Sequence, residues 1–175
     1  CILFGMMPLQ YLIKDYYYHS RSGNNAAWDY AYNILNSCEP NSIIFTNGDN
    51  DTFPLWYIQE VEGVRKDIRV VNLSLLNTPW YIKQLRDDEP RLPIQMSDKD
   101  IENIRPSFWE TKEFSLPGES AEQPELKWQL KPTYGGQYLR VQDVMIIRLI
   151  NDFKWKIPIY FAVTVSPENR IGLED

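Results

Sequence analysis

The chain has 175 residues, 43% of them hydrophobic, which is ordinary for one domain and enough to build a buried core. Eighteen Lys and Arg stand against 24 Asp and Glu, and the net charge of −6, with no basic stripe anywhere, excludes nucleic acid as a partner. Two cysteines, Cys1 and Cys38, and one histidine, His19, rule out a disulfide framework and a histidine-built zinc site.

Residues 1–13 are mostly apolar but shorter than the ~20 residues that cross a bilayer. They read as the end of a transmembrane helix or as an interfacial helix packed on the domain, with a linker to residue 20. Tyr16, Tyr17 and Tyr18 beside Lys14 and Arg21 suit a membrane interface. Residues 21–175 then read as one soluble domain. A helix is expected over Asn24–Ser37, capped by Ser22 or Asn24, with Ala27, Ala31, Ile34, Leu35 and Cys38 on its packing face. Ser42–Thr46 is an unbroken apolar run, the pattern of a strand buried on both faces. The polar turn Asn47-Gly48-Asp49-Asn50-Asp51 follows. Next comes a helix entered near Thr52 and packed through Leu55, Ile58, Val61 and Trp56, with Gly63 as its left-handed stop.

The pattern repeats with a strand over Asp67–Ser74 and a helix opened by Asn77-Thr78-Pro79 that carries Trp80, Tyr81, Ile82 and Leu85. Between about 90 and 135 lies a proline-rich insertion, holding six of the twelve prolines, that reads as irregular apart from a short capped helix at Ser97–Ile104. Leu139–Phe153 is a buried helix and Pro158–Ser166 a third strand. Strand–helix alternation with short links implies an α/β fold: a three-layer, Rossmann-like domain with a small, mainly parallel sheet of at least three strands in the order 2-1-3.

In such a sheet, ligands sit beyond the carboxyl ends of the strands. Three polar turns are expected there: Asn47–Asp51, Ser74–Asn77 and Ser166–Asn169. Asp49 and Asp51 can offer oxygens to a divalent cation, Gly48 allows close backbone approach, and Asn47, Asn50, Ser74 and Asn77 can complete a binding rim. The plainer reading is that Asp51 caps the helix, Asp49 holds the turn and Gly48 supplies a positive φ. The Asp-x-Asp run is similar to that of aspartate-based phosphatases and of metal-dependent sugar-nucleotide transferases. In the phosphatases, however, the pair directly follows the strand, and Phe53 stands where they place a small hydroxyl residue. Trp56 and Trp80, just inside two helices, are placed to stack on a glycan.

Several longer segments carry a resemblance: Asp29–Asn33, Ile44–Tyr57, Gln59–Gly63, Arg69–Leu76, Trp80–Leu85, Tyr138–Asp143 and Pro158–Val165. Together they resemble a family of large multi-pass bacterial membrane proteins, common in Bacteroidetes-type genomes, described as protein O-mannosyltransferase-like glycosyltransferases. The resemblance implies transfer of a sugar from a lipid-linked donor to protein on the non-cytoplasmic, periplasmic side. It also implies that the acidic catalytic residues lie in a membrane half that this chain does not include. No catalytic residue is therefore expected here, and a glycan or protein acceptor is the expected ligand. The competing expectations are a structural or assembly module without ligand, and a metal-dependent hydrolase working through Asp49 and Asp51.

Overall fold

A computed structural model of the chain describes residues 2–116, 118, 125–153 and 156–173, and for residues 2–5 and 17 the backbone only. Cys1 lies outside the described residues. Helix α1 (Ile2–His19) leaves Met6, Met7, Leu9, Leu12 and Ile13 more than half exposed. Lys14 and Asp15 interrupt its apolar run, and among the described residues no helix is long and apolar enough to cross a membrane.

The domain proper is built on a three-stranded parallel sheet of β1 (Ile43–Thr46), β2 (Arg69–Asn72) and β7 (Ile159–Phe161), in the order β2-β1-β7. This is the mainly parallel α/β architecture expected from the sequence. All four residues of β1 are buried, so both faces of the central strand are covered, as its unbroken apolar run requires. Phe45 stacks on its register partner Phe161 at 5.2 Å, a pair that contributes about 0.5–1.5 kcal/mol beyond its buried area. The chain leaves β1 through α3 (Asp49–Glu60) to β2, then returns past β1 to β7. The carboxyl ends of β1 and β7 therefore meet where the strand order reverses.

Helix α2 (Ala26–Ser37) packs on α3 through the buried Ala31 and Leu35, while Ala27, expected on that face, is exposed. Asn25 occupies the cap position, and Asn24 rather than Ser22 helps by accepting the Ala26 N–H at 3.3 Å. At its other end α2 is tied by Arg65, whose guanidinium donates to the Leu35, Cys38 and Glu39 carbonyls. α3 starts at Asp49, three residues earlier than expected. Its packing face ends on Gln59 instead of Val61, which is 67% exposed.

The outer edge of β2 is closed by side chains. Gln59 Nε2 donates to the Ile68 carbonyl at 2.8 Å, and the Asn72 N–H donates to Tyr81 Oη at 3.0 Å. Unpaired edge groups template aggregation, so this cover has a plain use. Tyr81 belongs to α4 (Pro79–Asp87), which starts at the predicted Thr78-Pro79 step. The predicted Ser97 cap is also present, as a capping box with Asp100 at the head of α5 (Asp98–Glu102).

The insertion is more regular than its prolines imply. β3 (Ser107–Phe108) pairs with β6 (Tyr138–Leu139), and β4 (Lys112–Leu116) pairs with β5 (Leu126–Leu130), both antiparallel. Trp128 anchors the second pair by donating its indole N–H to the Ile171 carbonyl at 2.8 Å. Gly172 sits beneath that ring at φ +78, where a Cβ would come within 3.1 Å of the Trp128 Cδ1 and Gln129 O. Helix α6 (Val141–Phe153) then crosses to β7. β7 is shorter than the predicted strand, because after Phe161 the chain turns and Val163 is exposed.

Candidate functional site

The three polar turns do meet along one rim, but hydrogen bonds to one another and to the core occupy much of them. Gly48 lies at φ +94, and among the described residues nothing comes within 4 Å of where a Cβ would sit, so conformation and not space demands glycine there. Its carbonyl accepts from the backbone N–H and the hydroxyl of Thr52, at 3.2 and 2.8 Å. With its proton committed to Gly48, the buried Thr52 hydroxyl accepts from Thr46 Oγ1 and Asn72 Nδ2, each at 2.8 Å. This buried triad locks the ends of β1 and β2 to the first turn of α3.

Asp51, in that turn, is only 5% exposed and caps nothing. One carboxylate oxygen accepts from Tyr30 Oη at 3.0 Å and the other from the Thr164 hydroxyl, so the side chain joins α2, α3 and the turn after β7 across the reversal point. Burial pushes the Tyr30 phenol above its ordinary range. Asp49 and Asn50 are exposed and Asn47 is half-buried.

On the other side of the rim, Asn77 donates from Nδ2 to Gln142 Oε1 at 2.8 Å and accepts the Gln142 N–H at 3.0 Å. Gln142 Nε2 reaches Asn169 Oδ1 at 3.2 Å, and Asn169 donates to Ser166 Oγ at 3.0 Å. Ser74 is exposed and contributes its carbonyl to Asn77. Next to them the fully buried Asp143 binds the Arg140 guanidinium at 3.0 and 3.1 Å and accepts from the Thr133 hydroxyl.

As a cation site, Asp49 and Asp51 fit poorly. Both Asp51 oxygens already face hydroxyl donors, and among the described residues no three His, Cys, Asp or Glu side chains are grouped to hold a metal. Raising Mg²⁺, Ca²⁺ or Mn²⁺ to millimolar concentration is expected to leave Tm unchanged. A rise of several degrees would restore both metal-dependent readings, since a ligand selective for the native state must raise it.

The two tryptophans fare differently. Trp56 of α3 and Trp80 of α4 both line an open groove of about 700 Å³ that runs along the covered edge of β2. Trp56 is half-buried, and Trp80 is 57% exposed. Tyr81 stands between them, with ring centroids 6.4 Å from Trp56 and 5.5 Å from Trp80, and Phe53 packs on Trp56 at 6.0 Å. Arg69 closes the groove near the start of β2, donating to the Glu89 and Gln84 carbonyls while its buried Nε has no partner among the described residues. Burial pushes its guanidinium below the ordinary arginine range, though neighbouring carboxylates oppose the shift.

Trp56 and Trp80 share one groove, but it runs along the β2 edge, and none of Asn47–Asp51, Ser74 and Asn77, expected to complete the same binding rim, is among its described lining residues; Arg69, Tyr30 and Thr164 carry no site expectation in the sequence reading. Only the alternation of Arg69 with the apolar Ile68 and Val70 hinted that a charge lies against the sheet.

No curated protein and no solved structure matches the chain. The family model described as TMEM260-associated domain 2 matches residues 27–115 and 117–175, essentially the whole domain after α1. TMEM260 is a membrane protein, which agrees with the membrane-associated family seen in the sequence, and the chain belongs to the TMEM260-associated domain 2 family.

Proposed function

We propose that this chain is the extracytoplasmic, periplasmic-side domain of a membrane-embedded, protein O-mannosyltransferase-like glycosyltransferase. In it the domain binds the acceptor or its glycan, and the transfer step belongs to the membrane half. The observation that carries this reading is the groove, where an exposed tryptophan and a half-buried one flank a common tyrosine. Membership of a family associated with a membrane protein supports the membrane-bound parent.

Trp80→Ala in the full-length protein tests it, in membranes supplied with a lipid-linked donor. The expected result is a rise of about tenfold or more in acceptor KM with kcat little changed, the pattern of lost ground-state binding. An unchanged KM would sink the acceptor-binding role.

The second reading, a structural or assembly module, is favoured by the rim. Thr52, Asp51, Asn77 and Gln142 bond to one another's elements and leave little for a ligand. Rim variants that lose stability while a correctly folded remainder keeps transfer activity would support that role for the rim, without touching the groove.

A further inference from the structure

Indole N–H groups divide the tryptophans of this domain into two kinds. Trp28, Trp109 and Trp128 donate theirs to Glu62, the Leu130 carbonyl and the Ile171 carbonyl, at 2.5, 3.0 and 2.8 Å. Trp56 and Trp80, the two that line the groove, have no protein acceptor among the described residues, and the sixth, Trp155, lies outside those residues. A tryptophan placed for packing usually finds its N–H a partner as it is buried. Two neighbouring indoles with unused donors make a surface that still has both ring faces and hydrogen bonds to offer.

The ring between the two indoles is held in place. Tyr81 separates the two indoles and is fixed by the Asn72 N–H, which donates to its hydroxyl from the edge of β2. That same bond closes the edge to an added peptide strand, so recognition by strand addition is blocked at this end.

Charge narrows the ligand further. Lys66 in the groove wall is already paired with Glu60 at 3.3 Å. The other cation among the described lining residues, Arg69, gives its terminal nitrogens to two backbone carbonyls, keeps its Nε buried, and is surrounded by Asp88, Glu89 and Glu60. Three carboxylates against two cations, in a chain of net charge −6, repel a phosphate or a nucleotide. Carboxylates, the Gln84 amide and indole N–H groups together accept from and donate to hydroxyls, while aromatic faces take the C–H face of a saturated ring.

We infer that the groove binds the uncharged pyranose rings of a glycan, stacked on Trp80 and Trp56, and not the phosphate-bearing end of a sugar donor. This rests on the glycan-handling reading above and specifies its ligand.

Saturation-transfer NMR on the 175-residue chain tests it, with methyl hexopyranosides and short neutral oligosaccharides as probes and hexose 1-phosphates as the comparison. The expected result is transfer to ring protons of the neutral sugars that weakens at least fivefold in Trp80→Ala and in Trp80→Leu. The far-UV circular dichroism and Tm of both variants should stay at the parent values, since the side chain is mostly exposed. Equal or stronger binding of the phosphorylated sugars would overturn the inference while leaving a glycan-handling domain in place. Absence of any neutral-sugar signal from the parent chain would overturn it too, and the acceptor KM of the full-length Trp80→Ala enzyme would then decide the broader reading separately.

Discussion

Asp51→Ala is expected to lower the stability of the domain by about 3 kcal/mol, or roughly 6–12 °C in Tm for a domain of this size. Asp49→Ala, two residues earlier, should cost only roughly 0.3–1 kcal/mol. The difference follows from what each carboxylate touches. Asp49 is exposed in the first turn of α3, where a negative charge gains only from the helix dipole. Asp51 is buried and accepts from Tyr30 on α2 and from Thr164 after β7. Truncation removes the charged acceptor of two hydrogen bonds at once, one from the half-buried Tyr30 and one from Thr164, and hydrogen bonds to a charged group are the stronger kind. Asp51→Asn should fall between the two, because one carbonyl oxygen remains and a hydroxyl can rotate to accept from the new amide. Denaturant titration of the three variants gives the order. Equal effects of Asp49→Ala and Asp51→Ala would contradict the structural role of Asp51 and return the pair to consideration as a ligand site.

That ordering also shows where sequence reasoning stops. Periodicity and burial pattern are local, and they were sufficient for the parallel sheet. The short, mostly β-branched run Ile43–Thr46 suits a doubly covered strand and is one, and Thr78-Pro79 and Ser97 with Asp100 are helix starts with known physical causes. The third strand was overextended because Ala162 and Val165 are buried from a turn, where burial no longer follows an alternating strand. The prolines of the insertion suggest irregularity, yet none of the described ones lies inside a strand, and the alternation in Lys112–Leu116 and Leu126–Leu130 is legible only once the two runs are paired.

The site divides in the same way. That Asn47–Asp51 turns sharply after a strand is written in the residues. That Asp51 points at Tyr30 and Thr164, separated from it by 21 and 113 positions, depends on tertiary contacts that no spacing encodes. Trp56 and Trp80 are legible because a helix start at a strand end is a local feature, but the groove itself also needs Arg69 from β2 and Tyr81, the neighbour of Trp80 on α4.

The second large effect is expected at Arg65, and it should depend on pH. Arg65 stands at φ +47 in the link after α3, a conformation that few non-glycine residues hold without support. Its support is a double fork. Nη1 and Nη2 reach the Leu35, Cys38 and Glu39 carbonyls at 2.7, 3.2 and 3.3 Å where α2 ends, the Leu35 carbonyl also accepting the Cys38 N–H. Nε and Nη2 bind both oxygens of Asp67, each at 2.9 Å. Arg65→Ala should therefore cost about 2–3 kcal/mol. Arg65→Lys should recover little of that, since an ammonium cannot span carbonyls and carboxylate at once.

The Arg65 hydrogen bonds hold the Asp67 carboxyl down at about 2 from its ordinary 3.8. A depressed carboxyl stabilises the fold at every pH above its unfolded value, and that contribution fades as pH falls from about 4 through about 2. With 32% of the Asp67 side chain exposed, solvent screening leaves this part at about 1 kcal/mol. The stability gap between parent and Asp67→Asn should accordingly be constant from pH 7 to about 5 and close by pH 2. The gap for Arg65→Ala should narrow over the same window but persist, because its carbonyl bonds do not titrate. Urea unfolding of the two variants at pH 7, 4 and 2.5 separates the contributions, and an Asp67→Asn gap that widens on acidification would contradict the pairing.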